Sequence, residues 1–223
     1  MYGRISILVS ITGRKCNDEI QFYDKGNEIG NGESKMIEKK LLYDGNGEFA
    51  RTDRVHLCVL SDDDKDTYLS NKFRGDYKDN KYIEIYLNAM WEVANSEHIL
   101  TFCIWDNETD EYMGYCNYNE LDADIPCIGI ELVERAQNQG LGYEVCTLLL
   151  ANYFDKTDLP AIRYEATRSN SRSRNLGEKL GGVLKDIKVL LPSLVEMNES
   201  LPEKKRIDIS ELDVFSYMIS RER

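Results

Sequence analysis

Residues 134–150 read ERAQNQGLGYEVCTLLL. A helical apolar run, with Leu141, Val145, Leu148 and Leu149 along one side, is entered through Gly140 and Gly142, and Gln137 stands three residues before the first glycine. A glycine in a helix costs about 1 kcal/mol relative to alanine, so something requires the bare backbone. A helix N-terminus carries unpaired N–H groups and a partial positive charge. Glycines let an anion reach those groups with no Cβ in the way. Gln139, Gly140, Leu141, Gly142 and Tyr143 are therefore candidates for a phosphate cradle at the end of the strand CIGIELVE (127–134). The alternative is a strand-to-helix turn whose glycines serve tight packing. Two other phosphate motifs fail. A dinucleotide fingerprint needs Gly or Ala where Val145 stands, and the G-K-[ST] of a P-loop does not occur.

Working outward from this turn, the flanking segments alternate in period. RVHLCVLS (54–61), HILTFCIWD (98–106), EYMGYCNYN (111–119), Ala161–Ala166, VLKDIKVLL (183–191) and DVFSYMISRE (213–222) read as strands. SDDDKDTYLSNKF (61–73) opens on a Ser/Asp cap signal with an acidic first turn, and YIEIYLNAMWEVAN (82–95) places Ile83, Tyr86, Leu87, Met90 and Val93 on one side; both read as helices. SNSRSRNLGEKLGG (169–182) is a short helix closed by glycine, and 193–209 reads as a polar loop. Three consecutive strands on short turns imply antiparallel pairing, whereas the strand–helix–strand unit 127–166 implies a parallel pair with a right-handed crossover. The fold class is α+β: a mixed, mostly antiparallel sheet with a parallel central pair, flanked by helices.

Residues 1–52 differ. Only ISILVSI (5–11) and MIEKKLLY (36–43) have the makings of ordered elements, and DKGNEIGNGESK (24–35) reads as a loop or linker. The expected organisation is an accessory segment over 1–52 and a domain over 53–223. A net charge of −12 repels phosphate backbones, so nucleic acid is not an expected partner; the same charge either attracts cationic partners or simply maintains solubility. The six cysteines have no C-x-x-C spacing and read as buried free thiols of a reducing, cytoplasmic compartment. With two histidines, a His/Cys metal site and a His-based triad are both disfavoured. The N-terminal apolar stretch is too short to span a bilayer, so no membrane segment or targeting signal is read.

QNQGLG (137–142) resembles the Q/R-x-x-G-x-G/A loop of the GNAT superfamily of acyl-CoA N-acyltransferases. CIGIELVE resembles the strand that precedes that loop. Asn170-Ser171-Arg172-Ser173 followed by EKLGG (178–182) resembles the family's second motif, an N-x-x-S/A helix ending in K-L-G. The resemblance covers about 53–222 and is closest in look to the ribosomal-protein and polyamine acetyltransferase branch. It implies acetyl-CoA as cosubstrate. Gln139–Tyr143 would hold the pyrophosphate with Gln137 supporting the loop, and Leu132 and Val133 would pair with the pantetheine arm, a backbone N–H there polarising the thioester carbonyl. Asn170 would bond the arm from the other side, although it equally reads as a helix N-cap; Ser173 and Arg174 lie beside it. Arg168, Arg172 and Arg174 form a basic patch for the 3′-phosphate or a solvated charged face.

Attack on a thioester needs a neutral amine and hence a proton acceptor. The family often places a glutamate on the strand and a tyrosine on the following helix, but Cys127 and Gly177 stand at those positions, and Gly182 replaces the aromatic after K-L-G. Glu131, on the same strand face as Cys127, is the replacement candidate for the base, or else a solvent-facing strand residue. Tyr217 is a candidate acid. Two functions compete. One is N-acetyl transfer from acetyl-CoA to a primary amine in a ternary complex, with Asp62, Asp63, Asp64, Glu84 and Glu92 favouring a cationic acceptor such as a polyamine, aminoglycoside or peptide N-terminus. The other is a non-catalytic acyl-CoA-binding or regulatory module. A third reading gives residues 1–50 to partner binding or homodimerisation.

Overall fold

The computed structural model describes residues 36–45, 47–72, 81–189 and 213–221, with 195, 198–203, 206 and 210. The candidate ordered element at 5–11, the loop or linker at 24–35, Cys16, Phe73 and most of the loop 193–209 lie outside these residues.

The strands are β1 (Glu48–Arg51), β2 (Val55–Val59), β3 (Leu100–Asp106), β4 (Tyr112–Asn119), β5 (Cys127–Leu132), β6 (Ala161–Thr167), β7 (Val183–Lys188) and β8 (Val214–Ser220). They form one sheet in the order β1-β2-β3-β4-β5-β6-β8-β7, in which β5–β6 is parallel and every other pair antiparallel. The parallel pair is joined by α4 (Leu141–Lys156), the crossover that parallel strands require. The strand β1 was not legible in sequence, because EFAR is four residues long and half-exposed and carries no readable period. With it, Ile37 and Leu42 enter the main core, so residues 36–51 are packed as part of the sheet domain; MIEKKLLY supplies one helical turn, α1 (Lys39–Leu42).

Strand alternation divides the side chains between two faces. Cys116, Tyr118, Ile128, Ile162 and Tyr164 pack under α4, where Tyr118 OH donates to Leu149 O at 2.7 Å. The helix α5 (Ser171–Lys179) lies on the same face, since a Cβ at Gly177 would sit 2.9 Å from the Tyr164 ring and 3.3 Å from the Tyr217 ring. The opposite face carries α2 (Lys65–Lys72) and α3 (Lys81–Ala94), which bury Tyr68, Leu69, Leu87, Met90 and Ala94 against Tyr115. Before α2, Ser61 and Asp64 form the reciprocal cap expected from SDDD. Among the described residues no helix is long and apolar enough to cross a membrane, and the five described cysteines are free.

Candidate active site

Gly140 is the N-cap of α4 with φ +79°, a left-handed conformation that favours glycine, and a Cβ there would meet nothing within 4 Å. Gly142 has a different reason: its Cβ would lie 3.2 Å from Leu176 Cδ2, where α4 passes α5. One glycine thus serves the turn and the other close packing. Tyr143 N–H donates to Gly140 O at 3.1 Å, while the N–H groups of Gln139, Gly140, Leu141 and Gly142 meet no acceptor among the described residues. Four unpaired donors at a helix N-terminus, with open space before Gly140, fit an anionic diphosphate such as that of coenzyme A.

The loop is braced from three sides. Gln137 Nε2 donates to Leu132 O at 2.9 Å, and Gln137 Oε1 accepts from Arg172 Nη1 at 3.0 Å, so one side chain ties the strand end to α5. Gln139 Nε2 donates to Arg135 O at 2.6 Å. Arg54 Nη1 donates to Gln139 O at 3.0 Å, and Arg54 Nε donates to Glu144 Oε2 at 2.9 Å. Arg54 also offsets a carboxylate in the first turn of α4 that would otherwise face an incoming anion. Sequence reasoning missed it, because 90 residues separate Arg54 from Glu144 and no local pattern links them.

The strands β5 and β6 register at only two pairs, Cys127/Arg163 and Ile128/Tyr164, and β5 continues to Leu132 without its parallel neighbour. Val133 N–H donates to Met113 O at 3.0 Å. Bonded pairs alternate in an antiparallel ladder, so Val133, Glu131 and Gly129 spend their backbone groups on β4, and Ile130 and Leu132 turn theirs toward the β6 side. Of the two residues expected to pair with a pantetheine arm, Val133 therefore has its N–H committed to β4. Leu132 N–H faces the gap, and so does that of Ile130, which no motif or spacing singles out. Beside the gap β4 is bulged where Ile104/Gly114 gives way to Trp105/Tyr112. Gly114 has φ +138°, and a Cβ there would fall 2.1 Å from Glu131 O.

Glu131 shares a face with Cys127, as alternation requires, and that face carries α2 and α3. Its carboxylate accepts from Lys72 Nζ at 3.0 Å, Tyr115 OH at 2.8 Å and Asn71 Nδ2 at 3.3 Å. Lys72 also donates to Tyr115 OH. Burial lowers the Lys72 ammonium from its ordinary range, opposed by Glu131, and burial with the Glu131 charge raises the Tyr115 phenol well above its own. Tyr217 lies on the other face, paired with Tyr164 and 2% exposed. Its hydroxyl donates to Glu178 Oε1 at 3.4 Å, and burial raises its pKa. Glu131 and Tyr217 are thus not brought together. Close packing explains the two departures from the family pattern at α5 and just after it: a Cβ at Gly177 would be 2.9 Å from Tyr164 Cδ1 and 3.3 Å from Tyr217 Cδ2, and one at Gly182 would be 2.7 Å from Gly177 O and 3.0 Å from Tyr217 Cβ. Cys127 is buried with its thiol pushed upward, which suits packing rather than nucleophilic attack.

Asn170 Oδ1 accepts from Ser173 N–H at 3.1 Å and caps α5, while Ser173 Oγ and Tyr164 OH are 2.6 Å apart. The arginines of the expected basic patch are largely engaged. Arg168 pairs with Asp213 at 2.8 Å, Arg172 holds Gln137, and Arg174 lies 5.1 Å from the Phe215 ring centre. On the Glu131 face, a cavity of about 400 Å³ opens between Thr67, Ser70 and Asn71 of α2 and Val133–Arg135.

The family description "Acetyltransferase (GNAT) domain" matches residues 48–183, more than half of the chain. No curated protein sequence matches. Among solved structures, the fold is similar to a spermidine N-acetyltransferase SpeG chimera from Vibrio cholerae and hSSAT, with TM-score 0.55 and 16% identity over 74% of this chain and 95% of that one. It is also similar to a GCN5-related N-acetyltransferase from Brucella melitensis, with TM-score 0.56 and 16% identity over 79% of each chain. A candidate ribosomal-protein-serine acetyltransferase from Vibrio cholerae gives TM-score 0.53 and 16% identity over 76% of this chain and 95% of that one. The glycine cradle, the gap between β5 and β6 and the family match together establish that the chain belongs to the GNAT superfamily and is an acyl-CoA-dependent N-acyltransferase.

Proposed function

We propose that the chain transfers the acetyl group of acetyl-CoA to a primary amine on a cationic acceptor. One observation carries the reading: unpaired backbone donors stand at both ends of one strand-to-helix connection, Ile130 and Leu132 at the gap and Gln139–Gly142 at the start of α4. Gln139, Gly140, Leu141 and Gly142 would hold the diphosphate, with Gln137 and Arg54 fixing the loop. When bound, acetyl-CoA supplies an acetyl group activated as a thioester. The Ile130 and Leu132 N–H groups are the donors available to an oxygen that gains negative charge, an interaction typically worth about 3 kcal/mol of barrier. Glu131, between them in sequence, is the group available to take a proton from an amine entering on the α2 side. The net charge of −12 and the exposed Asp62, Asp63, Glu84 and Glu92 on that side support a cationic acceptor by long-range attraction. The structural neighbours named for spermidine and ribosomal-protein acetylation support an amine acceptor in general.

The test is release of free coenzyme A thiol from acetyl-CoA in the presence of spermidine, an aminoglycoside, and peptides with free N-termini or free lysines. Amine-dependent thiol release is expected, with the acetylated amine identified by mass. Calorimetric binding of coenzyme A without turnover of any amine would refute the transfer.

A further inference from the structure

The carboxylate proposed to serve the reaction already holds an ammonium. Lys72 Nζ lies 3.0 Å from Glu131 Oε2, 4.0 Å from the Tyr115 ring centre and 5.3 Å from that of Tyr68. A carboxylate and two aromatic faces around an amine make a cation site. It is deep on the lysine side and open on the other: the Lys72 side chain is 12% exposed and that of Glu131 36%. Two other part-buried carboxylates on this sheet face are also engaged. Glu165 accepts from Arg163 at 2.7 Å, Lys188 at 2.9 Å and Ser216 at 3.2 Å, and Glu120 pairs with Arg163.

We propose that Lys72 is a specificity-determining residue, which fills the cation site of Glu131, Tyr115 and Tyr68 with the chain's own ammonium and so turns the enzyme away from polyamines toward acceptors that present one amine. The inference rests on the acetyl-transfer reading above. A polyamine brings one amine to react and at least one further ammonium that needs a partner. Near the gap Glu131, Glu165 and Glu120 each have an internal cation, Asp64 is engaged by the Ser61 N–H and hydroxyl, and the exposed acids of α3 are screened by water. A second ammonium would also meet Lys72 as a like charge. An acceptor with one amine and neutral polar groups escapes both costs. The cavity beside Asn71 offers such groups the hydroxyls of Thr67 and Ser70, together with Tyr112, whose buried hydroxyl has no hydrogen-bond partner among the described residues.

The experiment compares kcat/KM for spermidine and for a lysine-free peptide with a free N-terminus, in wild type and Lys72→Met. Wild type is expected to prefer the peptide, and the variant to gain at least tenfold on spermidine with unchanged coenzyme A affinity. Because Lys72→Met strands a charged Glu131, melting is also measured with n-butylamine. The amine should raise the melting temperature of Lys72→Met but not of wild type or of the Lys72→Met/Glu131→Gln double variant. A wild-type preference for spermidine overturns the proposal even if the variant does not fold. So does a folded Lys72→Met with an unchanged acceptor ratio and no response to butylamine. If no amine is acetylated while acetyl-CoA binds, the transfer reading fails by itself, and the butylamine shift still reports the cation site.

Discussion

Placing a negative charge at Gly140 probes the cradle directly. Gly140→Asp puts a carboxylate into space that is empty within 4 Å, in front of the unpaired N–H groups of Gln139–Gly142. Two unit charges about 4 Å apart repel by ~1 kcal/mol in water and by ~4 kcal/mol at an effective dielectric of about 20. This loop is exposed, so an intermediate value of about 2–3 kcal/mol is expected, which corresponds to roughly 30–150-fold weaker coenzyme A binding. Gly140→Asn is the control, because asparagine shares the tolerance of aspartate for positive φ and carries no charge. Each variant should cost about 1 kcal/mol of stability or less, a fall of roughly 2–4 °C in melting temperature for a chain of this size. Calorimetric titration with coenzyme A reads the difference. Aspartate binding within threefold of wild type, or asparagine losing as much as aspartate, would refute the placement of the diphosphate at this turn.

The remaining predictions concern the frame around the site. Gly114→Ala forces a Cβ to 2.1 Å from Glu131 O at φ +138°, so β4 and β5 must separate; a loss of about 3 kcal/mol or more, near 10 °C in melting temperature, is expected by thermal denaturation. Gln137→Ala removes the bonds to Leu132 O and from Arg172, and should cost about 1–2 kcal/mol in denaturant titration while weakening coenzyme A binding; full retention of both would show that the loop is held by Arg54 and Gln139 alone. Glu131→Gln should lower kcat by about 10²-fold or more with coenzyme A affinity intact, and an unchanged kcat would remove it as the base. Burial pushes Cys146 and Tyr153 up to about 12. These groups keep their protons longer in the folded than in the unfolded chain, so the folded state binds more protons at alkaline pH. Their contribution is fully present below about pH 9 and is lost as pH climbs toward 12, by roughly 1.4 kcal/mol per pH unit for each group between its unfolded and folded pKa. Melting temperature should fall steeply above pH 9, and a flat profile to pH 11 would contradict the burial.

Much of the fold was legible because its elements carry strong local signals. The helix α4 announces itself by apolar spacing, its entry by glycine, and the α2 start by Ser61 and Asp64. The parallel central pair followed from connectivity, since β5 and β6 are joined through a helix. Illegible were features that depend on partners remote in sequence. The strand β1 exists because β2 is there to pair with it. Glu131 could be placed on a face by alternation, but its company of Lys72, Tyr115 and Asn71 comes from an unrelated helix and strand. Tyr217 had the right chemistry for an acid and was set on the far side of the sheet by its pairing with Tyr164.

By itself the sequence determined the α+β class, the strand-to-helix turn with its anion-ready N-terminus, and the superfamily, because each rests on spacing within a few tens of residues. Only the tertiary structure decided which backbone groups are left over. Where β6 departs from β5 after Ile128/Tyr164, Ile130 and Leu132 keep unpaired donors while Val133 spends its own on Met113. It also decided that the carboxylate nearest that gap meets a lysine of the same chain. Hydrogen-bond saturation and charge pairing are properties of neighbours in space, and those neighbours are fixed only when the sheet and its helices close around them.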